Sequence, residues 1–261
     1  MTMARDRAWW AAAAALVLVS FASAADAAPC RTEAFEGMHY SVCSFDLAET
    51  DLRVFWRDEE RKPYRTFSSL ADDLAARGLE LEFAMNGGMY GVELRPIGLL
   101  IEEGRELRRA NMAESPANIR PVPNFYKKPN GVFYIGEGEA GVMEMGRFVD
   151  EAPAVRFATQ SGPLLVIDGA LHPDFIEGSS DRRLRNGVGV SSPTTVHFAI
   201  SQGRVNFHDF ARFFRDHLGS DDALYLDGGS APGLYSPQLQ RNDRPGHGGY
   251  GPIIGAVRTA Q

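Results

Sequence analysis

Residues 223–230 read Ala-Leu-Tyr-Leu-Asp-Gly-Gly-Ser. Four apolar residues followed by a carboxylate and two glycines describe a buried central strand that ends abruptly. The glycine pair lets the backbone turn sharply and brings N–H groups close to whatever lies beyond the strand. Residues 81–90, Leu-Glu-Phe-Ala-Met-Asn-Gly-Gly-Met-Tyr, repeat that pattern with an amide in place of the acid. Ile253 to Val257 forms a third apolar run of strand length. These three runs are read as the central strands of the fold, two of them ending in fixed polar groups.

Hairpins surround them. Ile97 to Ile101 and Glu106 to Arg109 flank a short Gly-containing loop, Leu164 to Ile167 turns at Asp168-Gly169 towards Ala170-Leu171, and Thr195 to Ile200 is expected to turn at Gln202-Gly203 into Arg204-Val205. Asp-Gly and similar pairs between apolar runs are strong hairpin signals. Two helices are expected. Residues 66–77 carry Leu70 and Leu74 at helical spacing, with Ser68 and Ser69 as candidate caps and Gly78 as the stop. Residues 206–218 start at Asn206 and carry a Phe210, Phe213, Phe214, Leu218 stripe that ends at Gly219. The Pro- and Asn-rich segment 112–129 reads as a long surface loop beside the site. No repeat and no low-complexity linker divides the chain. The expected class is α+β: a single domain over 29–261 with a mixed, hairpin-rich β-sheet core flanked by a few helices.

Residues 1–28 read as a signal peptide. Arg5 and Arg7 precede an apolar stretch from Trp9 to Phe21, and Ala22-Ser23-Ala24 and Ala25-Asp26-Ala27 offer small-residue cleavage sites. The apolar core is shorter than the ~20 residues a membrane span requires, so no membrane span is expected after cleavage. The expected location is periplasmic or secreted. Cys30 and Cys43 are the only two cysteines, and in an oxidising compartment such a pair is read as a disulfide. With 44% hydrophobic residues the chain can bury a core, and a net charge of −7 argues against a nucleic-acid partner.

The common catalytic templates are absent: there is no P-loop, no HExxH, no GxSxG elbow and no EF-hand loop. Gly136-Glu137-Gly138-Glu139-Ala140-Gly141 matches the dinucleotide-binding pattern letter for letter. Its two glutamates would face a pyrophosphate, and Val142 to Met145 beyond it reads as a returning strand, so it is taken as a hairpin tip.

Four segments set polar residues beside glycines: Asn86-Gly87-Gly88, Gln160-Ser161-Gly162-Pro163, Arg185-Asn186-Gly187 and Asp227-Gly228-Gly229-Ser230. Each alone is explained as a turn. Jointly they describe an anion-tolerant site with one carboxylate, in which an Arg offers a planar fork suited to phosphate oxygens. Asp168, Glu82 and Asp209 are the available second carboxylates, each with a plain structural role. His172, His197, His208 and His247 are read as surface or core histidines, with the glycine-rich stretch around His247 placed to close over the site.

In the order in which they occur, these segments resemble the phosphodiester glycosidase family, the uncovering-enzyme-like domains, and within it the exported bacterial branch. The resemblance spans roughly Tyr40 to Val257. It implies hydrolysis of a sugar phosphodiester, between the anomeric carbon and a phosphate oxygen, in envelope or extracellular glycans. Asp227, Asn86 and Arg185 would be catalytic. Gly87, Gly88, Gln160, Ser161, Asn186, Gly228, Gly229 and Ser230 would bind substrate. Asp227 would serve as nucleophile or base, and Arg185 with glycine N–H groups would hold the phosphate. A phosphate leaving group is weakly basic, so a second acid is less necessary than in other glycosidases. The family commonly continues Asp-Gly-Gly with another Gly and Ser-Ser-Thr, whereas Ser230-Ala231-Pro232-Gly233 stands here, and it follows its Arg with a small hydroxyl residue and Ala rather than Asn186-Gly187. No cofactor is expected; Asp227 with backbone carbonyls is where a hard divalent cation such as calcium would sit, and nothing at ligand spacing requires one. Two further readings stay open: hydrolysis at phosphorus, and a non-catalytic exported module that binds an anionic glycan in polysaccharide assembly or secretion. Oligomeric state is not legible in the sequence.

Overall fold

The computed structural model of the protein describes residues 28–260. The signal-peptide reading falls on residues 1–28 and so, Ala28 apart, lies outside the described residues. The chain opens with β1 (Cys30–Phe35), β2 (Met38–Asp46) and β3 (Asp51–Phe55), then α1 (Phe67–Ala76) and β4 (Leu79–Asn86). Next come the β5 (Leu100–Glu102) and β6 (Arg105–Arg108) hairpin, β7 (Gly131–Ile135), β8 (Ala140–Glu144) and α2 (Met145–Glu151). The strands β9 (Phe157–Ser161), β10 (Leu164–Ile167), β11 (Ala170–Leu171), β12 (Arg185–Ser192) and β13 (Thr195–Ser201) precede α3 (Phe207–Arg212). Last are β14 (Asp222–Gly228), β15 (Leu234–Ser236), β16 (Arg241–Asn242) and β17 (Ile253–Thr259).

The expected α+β class forms, and its hairpin-rich core divides into three sheets whose strand pairings are all antiparallel. A seven-stranded sheet runs β1-β2-β13-β12-β14-β10-β11, a second runs β16-β15-β4-β17-β3, and a third runs β6-β5-β9-β7-β8. Strand alternation explains how they meet. On β14, Leu224 and Leu226 face the shared core, while Ala223 and Tyr225 face outward under a helix. Between Leu81 and Phe83 of β4 a register shift against β17 inserts Glu82 and reverses the alternation. Phe83 and Met85 therefore point inward, and Leu81 and Ala84 point to α1.

Phe198 of the first sheet is the pivot. Its ring lies 4.8 Å from Phe83 of the second sheet and 5.8 Å from Phe133 of the third. Each outer face takes its own helix: α3 with Phe210 and, in the turn that continues it, Phe213, which is stacked 3.8 Å from Tyr40; α1 with Phe67, Leu70 and Leu74; and α2 with Met145 and Phe148.

Local features show where tertiary context prevailed over sequence pattern. The cap of α1 is Thr66, whose hydroxyl accepts the Ser69 N–H, rather than Ser68 or Ser69. Asn206 caps α3 as expected, accepting from the Asp209 N–H at 2.8 Å, and the helix then widens over Phe213–His217 before Gly219 at φ +65° ends it. Arg204-Val205 does not pair back onto β13; Val205 bridges Arg183 instead. The 136–141 stretch joins β7 to β8 as a hairpin tip, but beyond β8 the chain forms α2, capped by Glu144. Cys30 and Cys43 are direct partners across β1 and β2 and form a disulfide. Among the described residues no helix is long and apolar enough to cross a membrane.

Candidate active site

Each sheet sends one strand end to the same place. β4 delivers Asn86, β14 delivers Asp227 beside Asn186 of β12, and β9 delivers Gln160 and Ser161. The sequence sets up this convergence by ending each strand with glycines small enough to let backbones touch. A Cβ on Gly87 would sit 2.7 Å from Ile254 Cγ1 and 3.0 Å from its amide nitrogen on β17. Gly88 takes φ +151° against Thr159 of β9.

At the seam a chain of amides joins two sheets. Asn186 Oδ1 accepts the Asp227 N–H at 2.9 Å, and Asn186 Nδ2 donates to Asn86 Oδ1 at 2.8 Å. Asn86 Oδ1 also accepts the Gly233 N–H at 2.9 Å. Because backbone donors fix both oxygens, the orientation of each amide is determined. Asn86 Nδ2 is left pointing at no acceptor among the described residues, although Asn86 is fully buried. Such a donor costs about 1–3 kcal/mol until something accepts from it. A ligand oxygen would.

Asp227 is joined to Asn86 through the Asn186 amide and is half-buried. Its Oδ1 accepts the Gly228 N–H at 2.7 Å, and among the described residues it forms no ion pair. Burial therefore pushes its carboxyl up to about 7. Two phenols feel that carboxylate. Tyr90 and Tyr225 are both raised, first by burial and then by the charge of Asp227, so both remain neutral donors. Neither was singled out in the sequence: Tyr225 reads as an ordinary strand residue, and Tyr90 as the tail of a turn. Their places, two before the acid and four after the amide, were the available signal.

Arg185 is placed differently from the two asparagines. It is 1% exposed, on the outward face of β12, with its guanidinium 3.6 Å over the Phe207 ring. Nε donates to Val205 O at 2.8 Å and an Nη donates to Asp181 O at 3.1 Å. Its charge reaches the site through Tyr225, which lies between it and Asp227 and is lowered by the one and raised by the other. Burial lowers Arg185 itself.

The remaining expected site residues are engaged in building the wall. Gln160 accepts from the amides of Leu99 and Asn111 and donates to Asn111 O, tying down the start of the 112–129 segment. Ser161 Oγ donates to Leu226 O at 2.7 Å. The N–H groups of Gly87, Gly228 and Gly229 donate to Pro252 O, Asp227 Oδ1 and Leu184 O, and thus are already satisfied by the protein. Ser230 is exposed, with Gly246 packed against its backbone. The glycine-rich stretch leans on Tyr90, whose hydroxyl donates to Gly249 O at 2.9 Å and lies 3.3 Å from His247 Nε2. Asp168, Glu82 and Asp209 are held elsewhere, in a turn, in an ion pair with Arg258, and at the α3 cap with Arg182.

Residues 80–253 match the family model described as phosphodiester glycosidase, a span that contains Asn86, Tyr90, Gln160, Ser161, Arg185, Asn186, Tyr225 and Asp227. The chain belongs to the phosphodiester glycosidase family. Among relatives of this phosphodiester glycosidase domain, Uncharacterized protein YigE of Escherichia coli (strain K12) is 32% identical over 177 residues, which cover 68% of this chain and 66% of that protein. The catalytic domain of zebrafish N-acetylglucosamine-1-phosphodiester alpha-N-acetylglucosaminidase, auto-inhibited by its pro-peptide, superposes with a TM-score of 0.56 at 13% identity, covering 87% of this chain and 80% of that one. A hypothetical protein from Synechocystis gives 0.54 at 14% identity, over 87% of this chain and 61% of that one. At these identities the two structures share the fold alone. Among the described residues no group of three or more His, Cys, Asp or Glu side chains is arranged to hold a metal ion.

Proposed function

We propose that the protein is an exported hydrolase that cleaves a sugar phosphodiester between the anomeric carbon and the phosphate oxygen. The observation that carries this reading is Asp227: an acid with no ion-pair partner among the described residues, raised to about 7, linked through Asn186 to Asn86, whose buried amide donor lacks an acceptor, and felt by two neutral phenols. Ionised, Asp227 takes a proton from water as the oxygen attacks the anomeric carbon. The carbon–oxygen bond to phosphate breaks, and the products are free sugar and a phosphomonoester. Asn86 Nδ2 donates to a sugar hydroxyl or to the phosphate. Tyr225 donates to the phosphate oxygens as negative charge grows there, while Tyr90, whose proton goes to Gly249 O, holds the glycine-rich stretch in place, and buried Arg185 positions Tyr225 and supplies positive charge behind it. The reading calls on no cofactor.

Export is supported by the N-terminal sequence and by the Cys30–Cys43 disulfide, which suits an oxidising compartment. It makes envelope or extracellular glycans the substrate class. The test is a panel of sugar-1-phosphodiesters assayed with the wild type and Asp227→Asn. Free sugar and phosphomonoester should appear with the wild type and vanish with the variant. Tight binding by both proteins with turnover by neither would instead establish a glycan-binding module. Heavy-oxygen water separates the two hydrolytic routes: label should enter the sugar, and label in the phosphate would place the attack at phosphorus.

A further inference from the structure

A cleft of about 700 Å³ lies between β3, the 57–63 turn and the β5–β6 hairpin, and its lining includes seven arginines. For a chain of net charge −7 this is a concentrated reversal of sign. Arg53, Arg77 and Arg95 have carboxylate partners at Asp51, Asp73 and Glu93. Arg57, Arg61, Arg105 and Arg108 have none among the described residues, while the acids in the lining are Asp58, Glu59, Glu102 and Glu103. Asp58 is occupied in closing the 57–63 turn, where it accepts the Lys62 N–H at 2.8 Å, and Glu103 pairs with Arg156. The four free guanidiniums come from two separate hairpins, so they are spread along the cleft rather than gathered at one point.

Arg57 is the built element of this cleft. Its guanidinium lies 3.6 Å over the Trp56 ring, and its Nε is buried with no acceptor. Burial and the nearby charges of Arg61 and Arg95 lower it, so like charges are held together at some cost. A buried unpaired donor among crowded cations is relieved by an anion.

We propose that this cleft is a second binding site, for an acidic glycan chain carrying several anionic groups. Its size suits several sugar units, and its dispersed cations suit more than one charge at a time. A nucleic acid is disfavoured because Trp56, the aromatic beside the cations, is 7% exposed and offers no open face for a base. Arg57, Arg61 and Trp56 lie outside the 80–253 family match and Arg95, Arg105 and Arg108 lie inside it, and none of the residues that line the cleft is among those placed around Asp227. Trp56 Nε1 donates to Leu94 O at 2.9 Å, next to Arg95 of the cleft, and Pro96 bridges Tyr90 of the site. A chain held here would be tethered to the segment that carries Tyr90.

The test is calorimetric titration of the protein with dextran sulfate oligosaccharides, neutral dextran of the same length and a single-stranded oligonucleotide, each at low and high salt. Dextran sulfate should bind, and weaken as salt rises; neutral dextran should not bind. The double variant Arg61→Glu, Arg108→Glu changes two exposed residues without ion-pair partners, and should lose roughly tenfold or more in affinity while melting like the wild type. Asp227→Asn should bind dextran sulfate as the wild type does, whatever its activity. Undiminished binding by the folded double variant, equal binding of neutral dextran, or tighter binding of the oligonucleotide would each overturn the proposal.

Discussion

At the end of β4, Asn86 is sealed from solvent, its oxygen held by Gly233 and Asn186 and the following Gly87 wedged against Ile254. At the end of β14, Asp227 is half open, its carboxylate has one neighbouring amide for company, and Gly229 has no atom within 4 Å of where a Cβ would stand. The two segments look alike as text: apolar strand, polar residue, Gly-Gly. The first is a clamp between sheets, and the second is the reactive end in the reaction proposed above. Small size makes Gly87 necessary, whereas Gly229 is necessary for its φ of +74°. Two like strand exits thus differ in how tightly they are packed, and only the one that carries a charged residue is left open to solvent.

The largest expected effect is on the reactive end. Asp227→Asn should lower kcat/KM by roughly 10²–10⁴-fold, the usual worth of a positioned base. The acid's elevated value also fixes the pH behaviour. The base is the ionised form, so kcat/KM should fall about tenfold per unit below pH about 7. A flat profile through pH 7 would remove Asp227 from that role. Stability should move the other way. The folded-state value lies above the ordinary 3.8, so ionisation disfavours the fold, and that penalty develops as pH rises from near 4 and is complete above about 7. Asp227→Asn should therefore melt a few degrees higher than wild type at pH 8 and no higher at pH 3.5, as scanning calorimetry would show.

Mutating the clamp should reverse this pattern. Asn86→Ala leaves the Gly233 N–H and the Asn186 amide without their acceptor inside the protein, and should cost about 2–4 kcal/mol in urea unfolding. Activity should fall as well, since Asn186 holds the Asp227 amide. If Asn86→Ala were as stable as wild type while inactive, Asn86 would be a ligand-binding residue only, and the contrast between the two exits would dissolve.

Much of this was legible in the sequence because strand exits and hairpins are local events. Asp168-Gly169, Glu103-Gly104 and the 136–141 tip fold where their residues predict. Three things were not legible. α2 is seven residues long, too short for Met145 and Phe148 to establish a period. The outward face of Arg185 depends on strand pairing: one residue further on, Asn186 turns to the seam, and a linear reading groups the two together. The roles of Tyr90 and Tyr225 depend on a carboxylate brought near by folding, and an aromatic residue in an apolar run carries no mark of that.

The finest test compares the two exits at glycine. Gly87→Ala should cost about 1–3 kcal/mol, because the new methyl meets the Ile254 side chain and backbone, which β17 holds between β3 and β4. Gly229→Ala meets nothing and should cost only the strain of a left-handed residue, about 1 kcal/mol. Gly229→Asn discriminates further, since Asn tolerates that conformation better than Ala, whereas no side chain relieves the crowding at Gly87. Stability should thus rank wild type, Gly229→Asn, Gly229→Ala, Gly87→Ala in urea unfolding. If Gly229→Asn proved no better than Gly229→Ala, the second exit would be constrained by space after all, and the two glycine pairs would be doing the same work.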